Sequence, residues 1–216
     1  MSPISHAFIA WFIALLVASR VNDRRLIVIC GVAADIDGVF ILIDSQSYAD
    51  YHHTFGHSLI FGVMIALVAT ALGSDRLRVF VGSLVAFGLH LVADVVGSNW
   101  RIMPLYPISN LEVSLVDHLS DGMIYNVINP LAILLMFVGI FAVMYRREIS
   151  PLEFFSEKLD HRVTGWFIYP WKYRCHMCNR RAFAECVECQ KKVCARHLPK
   201  LVPSRCEMCW ERSENG

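Results

Sequence analysis

A chain of 216 residues, 56% of them hydrophobic and with a mean hydropathy of +0.46, is too apolar for an ordinary soluble domain, and its apolar residues come in long runs. The composition indicates an all-α, polytopic membrane protein. Its net charge of +1 hides an asymmetry: from Arg146 onward 14 Lys and Arg face 9 Asp and Glu, so a basic tail follows an acidic membrane half.

The first apolar stretch, residues 4 to 19, ends in Val17-Ala18-Ser19, small residues of the kind found at signal cleavage sites. No Lys or Arg precedes its core, and Arg20, Arg24 and Arg25 follow it, so a retained first helix is expected. Further spans are expected at 26 to 43, 58 to 73, 77 to 97 and 123 to 145, giving a bundle of about five, some near the lower end of the ~17–25 residues that crossing needs. Positive residues follow the first, third and fifth of these, which puts those loops on the cytoplasmic side. Loops 44 to 57 and 98 to 122 and the N-terminus then face outward from the cell membrane.

Ionisable residues sit at or near the ends of these stretches: His6, Asp35, Asp37, His52, His53, His57, His90 and Asp94. Such residues are costly at membrane depth and mark function by default. His90 and Asp94 are four apart, so a helix presents both on one face. Tyr51-His52-His53-Thr54-Phe55-Gly56-His57-Ser58 supplies three imidazoles just before an apolar run. Imidazole is mostly neutral at neutral pH and can ligate without losing a proton, while Asp supplies the negative charge a divalent ion requires. Asp35 and Asp37 are two apart and would point to nearly opposite faces of a regular helix, so both serve one site only if the backbone leaves the helix near Gly38. Asp117, His118 and Asp121 lie just before the last span and are candidates to complete the site, with a solvated loop end as the alternative. Arg101 could pair with a substrate phosphate or merely reach for water.

The strings SHAFIA, AADIDGV, YHHTFGHSL, GLHLVADVVG and MPLYP together resemble the membrane-bound metal-dependent hydrolases, LexA-regulated members included, over about residues 1 to 145. The resemblance implies a hydrolase of the metal-activated-water type, acting on an ester or phosphoester, possible lipid esters included, at the outer side of the membrane. It implies one or two divalent ions, Zn2+ or Mn2+, with His57, His90, Asp94, Asp35, Asp37, His6 and His52 as ligands and His53 as a proton-transfer residue. The string His53-Thr54-Phe55-Gly56 departs from the family pattern. Two other readings compete: a membrane-anchored adaptor whose finger is the working part, and a metal-ion transporter, whose ligands would run from one face to the other.

Residues 148 to 173 mix charges with Phe154, Phe155, Trp166, Phe167, Tyr169 and Trp171, the composition of a juxtamembrane amphipathic linker following the transmembrane domain, 1 to 147. Then come Cys175, Cys178, Cys186, Cys189, Cys194, His197, Cys206 and Cys209, four pairs with two residues between partners. This is a zinc signal for two structural Zn2+ in a cytoplasmic finger, 174 to 210, with 211 to 216 as a tail. A sequential arrangement would join the first two pairs; a cross-brace joins the first with the third and the second with the fourth, and is preferred. The spacing resembles B-box and related treble-clef fingers. Seven clustered cysteines in a cytoplasmic tail disfavour a disulfide framework. The basic residues of the finger suit a protein, a nucleic acid or anionic lipid.

Overall fold

The structure, a computed structural model, describes residues 2–115, 118–198, 200–201 and 204–214. It is mostly helical and divides into two compact units, Met1–Phe137 and Val138–Gly216. The first unit holds α1 (Pro3–Val17), α2 (Val21–Val32), a 3-10 helix (Ala33–Leu42), α3 (Ser45–Tyr51), α4 (Leu59–Leu72) and α5 (Arg76–Gly97). A further helix, α6 (Asp121–Arg147), contains a π-helical stretch at Ile124–Ile128.

Helix ends are set by local chemistry. Ser2 caps α1 by accepting from the Ser5 N–H (3.3 Å), with Pro3 at the first helical position, where its missing N–H costs nothing. Ser58 accepts from the Phe61 N–H (3.2 Å) to start α4, and Asp75 accepts from the Arg78 N–H (3.3 Å) to start α5. Buried Asp23 of α2 accepts from the N–H groups of Ser74 (2.8 Å) and Asp75 (3.2 Å), which fixes the α4–α5 turn against the start of α2.

Side-chain size is sorted in the manner of a membrane protein. The buried residues of α4 are Gly62, Ala66 and Ala69, while Val63, Met64, Leu67, Val68 and Leu72 are exposed. A helix bathed in water would reverse this; in lipid, large apolar chains face out and small residues let helices approach. A Cβ on Gly31 would strike Ala10 of α1 and crowd Ala86 of α5, so the glycine sets how closely three helices meet.

Among the described residues two helices, α5 and α6, are long and apolar enough to cross a membrane; α1 and α4 are apolar but shorter. The apolar segment 26 to 43 is not one helix. The α-helix stops at Val32, ahead of Gly38, and the chain continues as a ten-residue 3-10 helix. Such runs rarely exceed three or four residues. With three residues per turn, Ala34 and Asp37 share the buried side and Ile36, Val39 and Leu42 the exposed one.

In the second unit, the last turns of α6 are followed by a short 3-10 turn (Pro151–Phe154), α7 (Glu157–Phe167) and α8 (Tyr169–Lys172). Two antiparallel pairs come next, β1 (Ala184–Glu185) with β2 (Lys192–Val193) and β3 (Lys200–Leu201) with β4 (Ser204–Arg205), then α9 (Glu207–Glu214). The segment 148 to 173 is packed onto the cysteine module. A Cβ on Gly165 would fall 2.6 Å from the Phe183 carbonyl oxygen, so α7 lies against the backbone of the module.

Glu148, in the left-handed region at φ 59°, joins the end of α6 to the rest of this unit. It accepts from Lys172 Nζ (2.7 Å), Lys192 Nζ (3.4 Å) and, by a very short bond, the Tyr173 hydroxyl. Burial alone would raise the Glu148 carboxyl, but Lys172, Tyr173 and Lys192 hold it below its ordinary value. Lys192 also donates to Glu185 and to the Tyr169 hydroxyl (3.1 Å).

Candidate metal centre

The membrane unit gathers its ionisable residues at one end. His6 is in the first turns of α1, Asp35 and Asp37 on the 3-10 helix, His52, His53 and His57 in the turn before α4, and His90 and Asp94 in the last turns of α5. His6, Asp35, His90 and Asp94 each offer a donor atom within 4.8 Å of the others, as do His53, His57 and Asp94. Asp94 belongs to both groups, and its Oδ2 reaches a histidine of each. Oδ1 lies 3.0 Å from His6 Nε2; Oδ2 lies 3.1 Å from His90 Nε2 and 3.2 Å from His57 Nε2.

The second nitrogen of two of these rings is fixed by an acceptor. His90 Nδ1 donates to the Gly31 carbonyl (2.8 Å) and His57 Nδ1 to Asp37 Oδ2 (2.9 Å). In a neutral imidazole this leaves Nε2 with a lone pair. The Nε2 atoms of His57 and His90, 3.3 Å apart, therefore face each other and a carboxylate oxygen. Three electron-rich atoms in one dry pocket repel unless a cation or added protons lie among them. His6, 1% exposed and stacked on His90 at 3.7 Å, has hydrogen-bond alignment at neither ring nitrogen, and buried Asp35 Oδ2 and His53 Nδ1 likewise lack partners. Buried polar atoms are normally paired, so orphans collected at one point fit a bound ion. Borderline imidazole and hard carboxylate suit a zinc-like or manganese-like ion.

Asp37 stands outside both donor groups. It accepts from His52 Nδ1 (2.7 Å), His57 Nδ1 and the His53 backbone N–H (3.1 Å), the pattern of a carboxylate that orients ligand histidines. Gly56 makes room for it, since a Cβ there would strike the Ala34 carbonyl and lie 2.9 Å from Asp37 Oδ2. His53, at φ 69°, is turned relative to His52. It joins the His57 and Asp94 group, whereas His52 lines a cavity of about 480 Å³ with His53, Asn99, Trp100, Arg101 and Glu112. Burial, then the neighbouring rings of His57 and His52, hold the His53 imidazole down to about 3. Arg101 pairs with Glu112 (2.9 Å), and both line this cavity. His118 and Asp121 are exposed and belong to neither donor group, and Asp117 lies outside the described residues.

The C-terminal module holds two further groups: Cys175, Cys178, Cys194 and His197, and Cys186, Cys189, Cys206 and Cys209. The pairing is interleaved, as in a cross-brace, and not sequential. Both knuckles are built alike. After Cys178 and Cys189 come Asn179 and Gln190, each at φ 57°, and their N–H groups bond back to the carbonyls of Cys175 (2.9 Å) and Cys186 (2.8 Å). Burial alone would raise the Cys175 and Cys186 thiols, but surrounding backbone N–H groups bring each down to about 6. Soft donors in two sets of four can bind zinc, and backbone N–H groups favour the thiolate at Cys175 and Cys186, while burial and the neighbouring cysteines push Cys209 up to about 12. None of the eight cysteines is in a disulfide.

The outward-facing apolar surfaces, the two long apolar helices and the buried His and Asp groups together define a helical membrane protein with metal-type donor clusters. The YdjM inner membrane protein family model matches residues 1–156, and the chain belongs to that family. No curated protein and no solved structure matches the chain.

Proposed function

We propose that the membrane unit is a metal-dependent hydrolase whose site takes two divalent ions, one held by His6, Asp35, His90 and Asp94 and the other by His53, His57 and Asp94. The observation that carries it is the convergence of His57 Nε2, His90 Nε2 and Asp94 Oδ2 within 3.3 Å, with the far nitrogen of each ring tied to an acceptor. Ions in such a site acidify bound water, in good cases to a pKa of about 7, and polarise a phosphoryl or acyl oxygen.

The chain's own groups do the rest. Asp37 holds the His57 and His52 rings. His52, with Nδ1 fixed by Asp37 and its ring on the cavity wall, is the proton-transfer residue, and His53 is a ligand, so the two exchange the roles that the sequence alone favours. Trp100 supplies an apolar wall to the cavity, and Arg101, paired with Glu112 on the same lining, leaves the choice between ester and phosphoester to the reaction itself.

In this reading the unit crosses the membrane five times. The helix α2 and its 3-10 extension, of 12 and 10 residues, together reach roughly 38 Å at ~1.5 and ~2.0 Å per residue, enough for a hydrocarbon core of ~30 Å. The shorter α1 and α4 fit by local thinning. Loop charges orient the His and Asp end outward and the cysteine module toward the cytoplasm. Donors gathered at one end favour a site over a transport path, which needs ligands along its length.

The test is metal analysis of the purified full-length protein beside Asp94→Asn, with a hydrolysis screen over phosphodiesters and lipid esters. The wild type should carry up to two ions more than the variant, with the module's zinc equal in both. Equal totals would sink the membrane site.

A further inference from the structure

Helix α7 is inside out for a helix in water. The residues it buries are Asp160, Thr164 and Gly165; Asp160 accepts from the Ser150 N–H (2.6 Å). The large apolar residues point away, with Leu159 and Trp166 two turns apart on the open face and Trp166 67% exposed. Beyond it Phe167 and, on α8, Trp171 at 72% are also exposed. Exposed Arg162 lies between Leu159 and Trp166 in the sequence, and the Arg181 guanidinium sits 5.4 Å over the Trp171 ring. A surface helix normally turns its apolar side inward, so this face lacks the medium it is built for.

The same unit says which medium covers it. The unit begins inside α6, whose apolar stretch ends at Arg146 and Arg147, and α7 starts ten residues later. Glu148 ties the end of α6 to Lys172, Tyr173 and Lys192, and Lys172 Nζ also donates to the Tyr145 carbonyl (3.1 Å). The module therefore cannot swing away from the end of α6 without breaking these bonds. Trp rings flanked by Arg are the side chains that prefer the headgroup layer, where the ring meets acyl chains and the guanidinium meets phosphate.

We infer that the C-terminal unit is seated on the membrane, with Leu159, Trp166, Phe167 and Trp171 in the headgroup layer and Arg162 and Arg181 on lipid phosphates. The occupant of the open face is lipid. This rests on α6 crossing the bilayer and is independent of the hydrolase reading.

The test uses the full chain in vesicles of phosphatidylethanolamine and phosphatidylglycerol, with part of the lipid replaced by analogues brominated either close to the headgroup or near the acyl-chain end. The wild-type emission minus that of a Trp166→Phe, Trp171→Phe double variant isolates these two indoles, because Trp11, Trp100 and Trp210 are common to both. Most of that difference signal should be lost with shallow bromines and little with deep ones. Insensitivity to both depths would overturn the inference, as expected of a face in water or under a protein partner, and so would equal quenching at both, as expected of an inserted span. Each single Trp→Phe variant, measured alone, gives the same readout should the double variant fail to fold.

Discussion

The two donor assemblies differ in how they are closed, in the kind of donor they use and in what brings their donors together. The cysteine module closes each of its groups with four donors of its own, five of its eight positions being buried, and leaves no position for a further ligand. The membrane groups share Asp94, mix oxygen with nitrogen, and through His53 reach a cavity of about 480 Å³. What closes the first is short-range spacing within some forty residues; what assembles the second is the packing of four helical segments. The first should therefore depend on metal for its fold, and the second on its fold for metal.

The largest expected effect breaks the closed side. Cys186→Ser opens a four-donor set in a module too small to carry much core, and structural zinc contributes apparent free energies of about 10–16 kcal/mol. The module should unfold and release its zinc while α5 and α6 remain helical, read by metal content and limited proteolysis of the full chain. Survival of the module without zinc would erase the contrast.

Next, Asp94→Asn should empty both membrane groups together, because one carboxylate serves both. Loss from one group alone would show that the two are independent. Asp37→Asn sharpens the distinction between holding an ion and aiming a ligand. It should weaken metal binding by about 10–100-fold without abolishing it, the usual cost of losing a carboxylate that orients ligand histidines. A metal titration separates the two variants.

The smallest effect concerns the joint beside the cysteine module. Glu148→Gln removes a charged acceptor from Lys172, Lys192 and Tyr173 in a partly exposed setting and should cost about 1 kcal/mol of thermal stability in that unit. The folded carboxyl lies below its ordinary value, so its contribution is present at neutral pH and is lost as pH falls through that folded value. Melting curves at neutral and acid pH should therefore converge for wild type and variant in acid. The membrane groups should be unaffected by this substitution.

What could be read in the chain follows the same division. Spacing shows the cysteine pairs and the His90 and Asp94 couple, because a knuckle and a helical turn are local objects. It does not reveal which carboxylate of Asp35-Ile36-Asp37 joins a donor group and which holds the rings, since that depends on a 3-10 helix that no residue there demands. It also cannot separate His52 from His53, whose divergence comes from a left-handed backbone at His53. The apolar segments stand out by composition, but the early ends of α2 at Val32 and of α1 at Val17 lie inside apolar runs that carry no stop signal. Glu148 gave no signal, being one acid among many in a mixed stretch.

The 3-10 helix carries one more consequence. Three residues per turn stack side chains in straight columns without the slow drift of an α-helix: Ala34 and Asp37 in one, Asp35 and Gly38 in another, Ile36, Val39 and Leu42 in the third. The segment thus behaves as a three-position dial. Inserting one residue before Asp35 would turn it by a third of a revolution, bringing an apolar side chain to the histidines and a carboxylate toward lipid, whereas inserting three would restore the phase. A three-residue insertion, which keeps the phase while moving the carboxylates about 6 Å along the axis, should therefore lose less bound metal than a one-residue insertion, an order that a short insertion series can check.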